Sequence, residues 1–223
     1  IDDMADQIYA VEALFDGEQK TNAREWTSLT YELNDERKII AQKAIDEAMK
    51  LMPYVLTFND KLTSCTIDDK TRNQIITYNK VDKTTSVSGL LCKSIMISRN
   101  GETPSPFDCY YLEMHDGNSR IILPLESETH VRSLAGIPKL FVHFPLIPQN
   151  GQDYFGVNFL FHSHLFTPEE PRDNIIVPKD NDATEKSASA NKKVLDEMTA
   201  ELWNFLETNI DTWTNTIEMA SID

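Results

Sequence analysis

The feature that most constrains the fold of this chain is a change of residue pattern at Pro53. Before that proline, apolar residues recur at helical spacing from about Asn34 to Met52. After it, short runs rich in β-branched and aromatic residues follow one another as far as Ile147, with turn-forming residues between them. The pattern therefore predicts a helix that ends or turns at Pro53, followed by a sheet of many short strands.

The best-patterned part of the strand-like tract is Tyr110 to Leu125. An Asp-Gly-Asn turn separates two arms there, which predicts a β-hairpin. The other predicted strands are Val55–Phe58, Ser64–Ile67, Asn73–Asn79, Ser88–Ser98, Lys139–Ile147, Val157–Phe166 and Asn174–Val177.

Both ends of the chain carry helical patterns. Asp3–Phe15 predicts a short amphipathic helix, and Glu25–Leu33 after it is strand-like. Asp180–Ser189 is polar and predicts a loop, whereas Asn191–Met219 predicts a long amphipathic helix with a break near Asn209. Helices at both ends with strands between them predict an α+β domain, in which helices pack on a mixed or mostly antiparallel sheet and a long helix lies at the C-terminus.

Composition narrows the class of protein. The 223 residues carry a formal net charge of −15, so the long-range field opposes binding to nucleic acid or to an anionic membrane surface. No run of about 18 apolar residues predicts a membrane-spanning helix, and the acidic first four residues are unlike a secretory signal. Cys65, Cys92 and Cys109 lie in apolar runs without a C-x-x-C pair, which predicts buried reduced thiols. We expect a soluble cytoplasmic protein.

The most organised segment lies between Pro138 and Asp173. Two apolar runs lead into a charged corner that contains two prolines, Thr167-Pro168-Glu169-Glu170-Pro171-Arg172-Asp173. An arginine at the end of a strand, on a loop stiffened by prolines, is suited to aiming a fixed positive charge at an anion such as phosphate. The alternative is a local surface ion pair between Arg172 and Glu169, Glu170 or Asp173.

Motifs that would complete a phosphate site are absent from the sequence. The seven glycines form no G-x-G pair and no G-K-S or G-K-T, and no serine lies in G-x-S-x-G. The pattern also has a metal interpretation. His162 and His164 are two residues apart in a predicted strand, His143 lies in a neighbouring one, and Glu169 and Glu170 follow. Packed strand histidines explain the same pattern, so no metal is expected.

From about Trp26 to Phe205, the chain resembles a known family. The segments that carry the resemblance are Pro138–Ile147 (PKLFVHFPLI), Phe155–Phe166 (FGVNFLFHSHLF) and Pro168–Asp173 (PEEPRD). They look like the region after the nucleotide-binding domain in sacsin-like members of the GHKL ATPase group. Two further parts of the chain carry the resemblance. One is Leu51–Asn59 with Leu62–Ile67, which is similar to the start of that family's second domain. The other is Ser187, Ser189 and Asn191, which open the last long helix.

The resemblance implies a middle, or transducer, domain with a core like the second domain of ribosomal protein S-five. Residues 34–223 would form that domain, and residues 1–33 would link it to an ATPase domain that precedes it. In heat-shock chaperones and their relatives, the second domain projects a basic residue into the nucleotide site of the first. The matching residue here is Arg172, which is thereby implied as the catalytic and ATP-contacting residue of this chain.

The resemblance also implies where the cofactor lies. ATP and Mg²⁺ would be bound mainly by the preceding domain, whose N-box, D-x-G-x-G and glycine-rich lid are missing from this sequence. The chain would then be a fragment that is catalytically silent alone, with the ATPase domain as its partner and a protein client downstream, as in a chaperone.

Two interpretations from other classes remain open. One is a stand-alone protein-interaction module that uses the exposed faces of the terminal helices without catalysis. The other is a metal-dependent hydrolase centred on His162 and His164.

Overall fold

A computed structural model describes four ranges of the chain, residues 33–147, 157–170, 172–178 and 186–220. The predicted helix Asp3–Phe15 lies outside the described residues, and so does the predicted strand Glu25–Leu33 except for its last residue. Three residues of the resembling segments, Phe155, Gly156 and Pro171, lie outside them as well. Contacts between Cα atoms divide the chain into two units, residues 1–41 and 42–223.

Helix α1 spans Asp35–Phe58. Its N-terminus is capped by Asn34, whose Oδ1 accepts a hydrogen bond of 2.9 Å from the backbone N–H of Arg37. The described residues contain no helix long and apolar enough to cross a membrane.

The prediction that α1 ends or turns at Pro53, with a strand at Val55–Phe58, is wrong. A proline inside a helix has no N–H for the carbonyl four residues earlier, here that of Met49. The Tyr78 hydroxyl donates to that oxygen instead, at 3.0 Å. The last turn of the helix is buried from Pro53 to Phe58, so tertiary packing outweighs the local cost of the proline.

The sheet that follows holds eight of the ten strands found in the described residues, in the order β1-β2-β3-β4-β5-β10-β8-β9. Its strands are β1 (Ser64–Asp69), β2 (Gln74–Lys83), β3 (Leu91–Arg99), β4 (Ser105–Glu113), β5 (Ser119–Ile122), β8 (Leu140–Val142), β9 (Phe144–Pro145) and β10 (Leu160–Ser163). Strands β6 (Leu125–Ser127) and β7 (His130–Val131) form a separate pair. Neighbours in the large sheet are antiparallel except β8 and β10, which are parallel. The predicted α+β class with a mixed sheet is confirmed.

The predicted hairpin is also confirmed, as β4 and β5. Asp116 shapes its turn, because its Oδ1 accepts the backbone N–H groups of Asn118 and Ser119 at 2.8 and 2.9 Å. Gly117 has a φ of 66° there, a left-handed conformation that glycine adopts without steric cost.

Two predicted strands near the C-terminal end of the sheet differ from the structure. The single strand predicted at Lys139–Ile147 is divided into β8 and β9 by His143, which has a φ of 63°. Asn174–Val177 forms no strand and contributes only a bridge between Ile175 and Pro168. The left-handed backbone of His143 turns the chain back on itself, and Lys139–Ile147 contains no glycine, asparagine or aspartate that would signal this turn.

Helix α2 spans Lys186–Asn209 and is followed by two short 3-10 helices, Ile210–Thr212 and Thr216–Ala220. The predicted break near Asn209 is confirmed. The predicted start at Asn191 is wrong, because the helix begins five residues earlier, inside the segment predicted as a loop. In this first turn only Ala188 is buried, and one small apolar residue gives no periodic pattern that could mark the start.

The two helices pack on opposite faces of the sheet, because side chains of a strand alternate between its faces. Leu160 of β10 packs in a cluster with Phe58 of α1, whereas Phe161 packs in a cluster with Met198 of α2. Cysteines 65, 92 and 109 are free thiols, as predicted; Cys92 and Cys109 are buried as expected, whereas Cys65 is only half-buried. Burial raises the pKa of Cys109 to about 11, so this thiol is protonated and unreactive at neutral pH.

Candidate functional site

The charged corner predicted from the sequence is fixed to the domain by its backbone. Pro168 and Ile175 form an antiparallel bridge, and Ile175 is buried in the core. Above the bridge, Glu169 N–H donates to the Asn174 carbonyl at 2.9 Å, and Arg172 N–H donates to the Glu169 carbonyl at 2.5 Å. The corner is therefore a closed, hydrogen-bonded turn.

Asn191 joins this corner to helix α2. Its side chain is completely buried, and its Oδ1 accepts the Thr167 N–H at 2.8 Å. Its Nδ2 donates to the carbonyls of Thr167 and Ile176, both at 2.8 Å. One amide thus binds both arms of the corner. A buried polar group with every hydrogen bond made holds its neighbours in one arrangement.

Arg172 lies at the apex of the corner with its side chain exposed. Its φ is 71°, a left-handed conformation that is uncommon for a long side chain and costs on the order of 1–3 kcal/mol. In the part of the chain that the structure describes, the guanidinium forms no ion pair, and Glu169, Glu170 and Asp173 are all within that part. The local ion pair considered as an alternative is therefore not formed.

A second group of polar side chains lies where β8, β9 and β10 meet. His143 occupies the left-handed position between β8 and β9, His162 lies in β10, and His164 follows that strand. One ring nitrogen of each lies within 4.8 Å of those of the other two. His164 Nδ1 and His143 Nε2 are 3.2 Å apart, and the centroids of these two rings are 4.4 Å apart.

The parallel pairing of β8 with β10 explains this meeting. Phe141 lies opposite His162, so the chain segments after both strands leave the sheet at the same end. Strand alternation predicts that His162 and His164 share a face, and their ring centroids are indeed 4.8 Å apart. Their surroundings differ, since His162 is 1% exposed and His164 lies beyond the strand end, exposed to solvent.

The hydrogen bonds of His162 define its tautomer. Nδ1 lies 3.1 Å from the Phe141 carbonyl oxygen, which cannot donate, so Nδ1 carries the proton. The His143 N–H also points at Nδ1, at 3.4 Å. Accepting this longer bond would require an unprotonated Nδ1, whose lone pair would then face a lone pair of the Phe141 carbonyl oxygen. Nε2 is then an unprotonated acceptor. It is buried and has no hydrogen-bond partner among the described residues, an arrangement that costs about 1–3 kcal/mol.

Burial also sets the charge of the histidines. Desolvation is the largest effect on His162 and lowers its pKa to about 4. Desolvation likewise lowers the pKa of His164, with the neighbouring His143 next in effect. Both rings are therefore neutral at pH 7, which leaves nitrogen lone pairs available.

An arginine that the sequence analysis did not identify lies beside the histidines. Arg120 of β5 is directly opposite His162 in the sheet. It donates two hydrogen bonds to Asp60, at 2.6 and 2.8 Å, and two to Glu113, at 2.8 and 3.0 Å. Two carboxylates thus compensate its charge. The negative charge of Asp60 also acts to raise the pKa of His164, against the larger lowering by desolvation.

Glu169 and Glu170, which the metal interpretation placed near the histidines, are not part of this group. They lie in the corner, where the backbone of Glu169 contacts Asn174 and Arg172. The metal interpretation is thus correct in bringing three histidines together and wrong in adding these two carboxylates.

A cavity of about 240 Å³ opens between α2 and the β4–β5 turn. Its lining includes three carboxylates, those of Asp116, Glu197 and Glu201. Their charge opposes the phosphates of a nucleotide. This cavity therefore offers no site for the ATP that the family resemblance implies.

No family model matches the sequence, and no curated protein or solved structure matches it either. The functional argument therefore depends on the residues and geometry described above.

Proposed function

We propose that this chain is the coupling domain of a multidomain ATP-binding protein of the sacsin-like GHKL class, with a core like the second domain of ribosomal protein S-five. In this proposal, Arg172 contacts the terminal phosphate of ATP held with Mg²⁺ in a preceding domain. The observation that carries it is an exposed arginine that forms no ion pair with any described residue, at the apex of a corner whose base is buried.

The chemistry of the guanidinium supports a phosphate as the target. The group is always charged and offers parallel N–H donors that match phosphate oxygens. A preorganised donor of this kind stabilises the charge that gathers on a transferring phosphoryl group. The chain lacks a glycine-rich phosphate cradle and carries a net charge of −15, so the phosphate would have to be held by another domain.

The left-handed backbone of Arg172 supports a functional role for the side chain. Glycine would adopt this conformation without the steric cost that a Cβ atom adds. Strained residues of this kind concentrate at functional sites, where the surrounding structure holds them. Here the hydrogen bonds of Glu169 and Asn174 hold the turn.

Asn191 supplies a route by which a contact at Arg172 could affect the rest of the domain. Its amide binds both arms of the corner and belongs to α2, so a displacement of the corner would be transmitted to that helix. In the proposed protein, α2 would carry the signal of ATP occupancy toward downstream parts that contact a protein client.

The test is ATP hydrolysis by the protein encoded in the complete reading frame. Arg172→Ala should lower kcat by about 100-fold or more, because it removes a donor that acts on the transition state. Arg172→Lys keeps the charge but lacks the planar fork of the guanidinium, so its kcat should lie between those of the wild type and Arg172→Ala. Arg99→Ala is the matched control, since Arg99 is also exposed and lies at the end of β3, outside the corner.

Arg172→Gly separates function from stability. It should be as inactive as Arg172→Ala but more stable by about 1 kcal/mol, because glycine relieves the left-handed backbone. Unchanged turnover together with unchanged ATP affinity in Arg172→Ala would refute the proposal. Hydrolysis by this chain alone would also refute it, since the catalytic machinery is assigned to another domain.

A further inference from the structure

We propose that His143, His162 and His164 form a binding site for a divalent transition metal, with Zn²⁺ as the ion that suits three imidazoles and one open position. The inference is independent of the coupling role, because none of these residues belongs to the Arg172 corner.

The spacing of the nitrogens carries the first step. A tetrahedral Zn²⁺ with bonds of about 2.0–2.1 Å places neighbouring ligand nitrogens about 3.3–3.4 Å apart. His164 Nδ1 and His143 Nε2 already lie 3.2 Å apart. One nitrogen of each of the three rings lies within 4.8 Å of the other two, so small ring rotations can bring all three to the distances of a shared ion. His143 and His164 are exposed, so their side chains are free to make this adjustment.

The orphaned nitrogen of His162 is the second, independent observation. Its Nε2 is buried without a hydrogen-bond partner among the described residues, while Nδ1 donates to the Phe141 carbonyl. Metal-binding histidines usually have this arrangement, in which one nitrogen faces the metal and the other donates to a carbonyl or carboxylate. In the proposed site Nε2 is the ligand atom of His162, and the metal ion would give it the partner that it lacks.

The side chains around the cluster limit the kind of ion. Three imidazole nitrogens suit zinc, copper or nickel, whereas Mg²⁺ requires oxygen ligands. The ring of Phe58, centred 4.9 Å from that of His162, closes the apolar side of the cluster. Exposed His143 and His164 leave the opposite side open to water, which would complete the coordination.

A hydrogen bond between His143 and His164 is the competing explanation of their 3.2 Å contact. One ring would then donate an N–H to the other, and the cluster would need no ion. The two explanations differ in what the protein does with added metal.

The experiment is calorimetric titration of the chelator-treated chain with ZnCl₂ and, separately, with MgCl₂. We expect one Zn²⁺ per chain and no Mg²⁺. His143→Ala and His164→Ala should each weaken Zn²⁺ binding by about 100-fold or more, since even an outer-shell partner of a metal ligand contributes roughly 10–100-fold. Both residues are exposed, so neither substitution opens a cavity in the core.

His115→Ala is the matched control, because His115 is an exposed histidine outside the cluster. It should bind Zn²⁺ like the wild type. The absence of Zn²⁺ binding, or binding that His143→Ala and His164→Ala leave unchanged, would overturn the proposal. Equal weakening by all three substitutions would overturn it too, because the binding would then not be specific to the cluster. Circular dichroism of each variant establishes that it is folded.

Discussion

The two ends of the sheet are held together in different ways. At the long-strand end, β1 to β4, strands of six to ten residues pair in continuous register. At the short-strand end, β5 with β8, β9 and β10, strands have two to four residues, and the β8–β10 register contains only two pairs. Backbone ladders therefore dominate at one end, whereas side-chain packing must hold the other.

Backbone strain follows the same division. Left-handed residues of the long-strand end include Asn73 and Asn100, and asparagine tolerates this conformation in turns. Beyond β5 the left-handed residues include His143 and Arg172, whose side chains belong to the two candidate sites. The comparison teaches that the long-strand end places left-handed backbone on asparagine, whereas the chain beyond β5 does so at Asn215 but also at the bulkier His143 and Arg172.

Substituting one buried side chain at each end of the sheet should give the largest effects and should distinguish the two ends most clearly. Phe141→Ala at the short-strand end should lower the free energy of unfolding by about 3–5 kcal/mol, and Ile95→Ala at the long-strand end by about 2–5 kcal/mol. Both side chains are fully buried. Only Phe141→Ala should also weaken Zn²⁺ binding, by about tenfold or more, because the Phe141 ring packs against that of Phe58, which in turn packs against the ring of His162. Urea denaturation and zinc titration measure the two effects. Equal loss of Zn²⁺ affinity in both variants would contradict the division.

A pH series tests the short-strand end next. Burial lowers the pKa of His162 to about 4, whereas an unfolded histidine titrates near about 6.5. The unfolded state therefore binds more protons between these values, so stability falls as the pH is lowered from about 6.5 to 4. His162→Leu removes this titration and should show a flatter profile in that window. Urea midpoints with a chelator present measure it. Parallel profiles for the two proteins would show that His162 does not titrate as described.

The long-strand end should lose stability in a lower window. The side-chain hydrogen bond from Arg72, the largest effect, holds the pKa of Asp69 at about 2, below about 3.9 in an unfolded chain. The Asp69 contribution is complete above about pH 4 and is lost as the pH falls toward 2. Asp69→Asn should remove that part of the acid sensitivity, and the effect should be smaller than that of His162 because the pKa displacement is smaller. Urea midpoints at pH 4 and pH 2.5 measure this effect. If the ratio of the two midpoints is the same in Asp69→Asn as in the wild type, the prediction is wrong.

Much of the fold could be predicted because its signals are local. The Asp-Gly-Asn turn and its two arms predict the β4–β5 hairpin, since the residues that shape the turn are adjacent in sequence. The helix at Pro53 could not be predicted this way. Its continuation depends on Tyr78, which is 29 positions away from the carbonyl that it satisfies.

The candidate sites were predictable to different degrees. Strand alternation brings His162 and His164 together, and a neighbouring strand supplies His143, but sequence spacing does not reveal that only His162 would be buried. The sequence predicts Arg172 on a loop that contains two prolines, but the bonds from Asn191 that hold this loop come from a residue 24 positions away, and the role toward ATP remains a prediction. The pairing of Arg120 with Glu113 follows from the predicted hairpin, whereas its bond to Asp60 and its position opposite His162 depend on residues distant in sequence.

The pairing of β10 with β5 determines the order in which the molecule can assemble. From β1 to β5, each strand pairs with the next one along the chain, whereas Ser163 of β10 pairs with Ser119, 44 positions earlier. Closing a long loop costs more entropy than forming successive hairpins, so the hairpins are favoured to form first. A chain still emerging from the ribosome can therefore form the β1–β5 part of the sheet before the segments that carry the histidines and the charged corner pack against it.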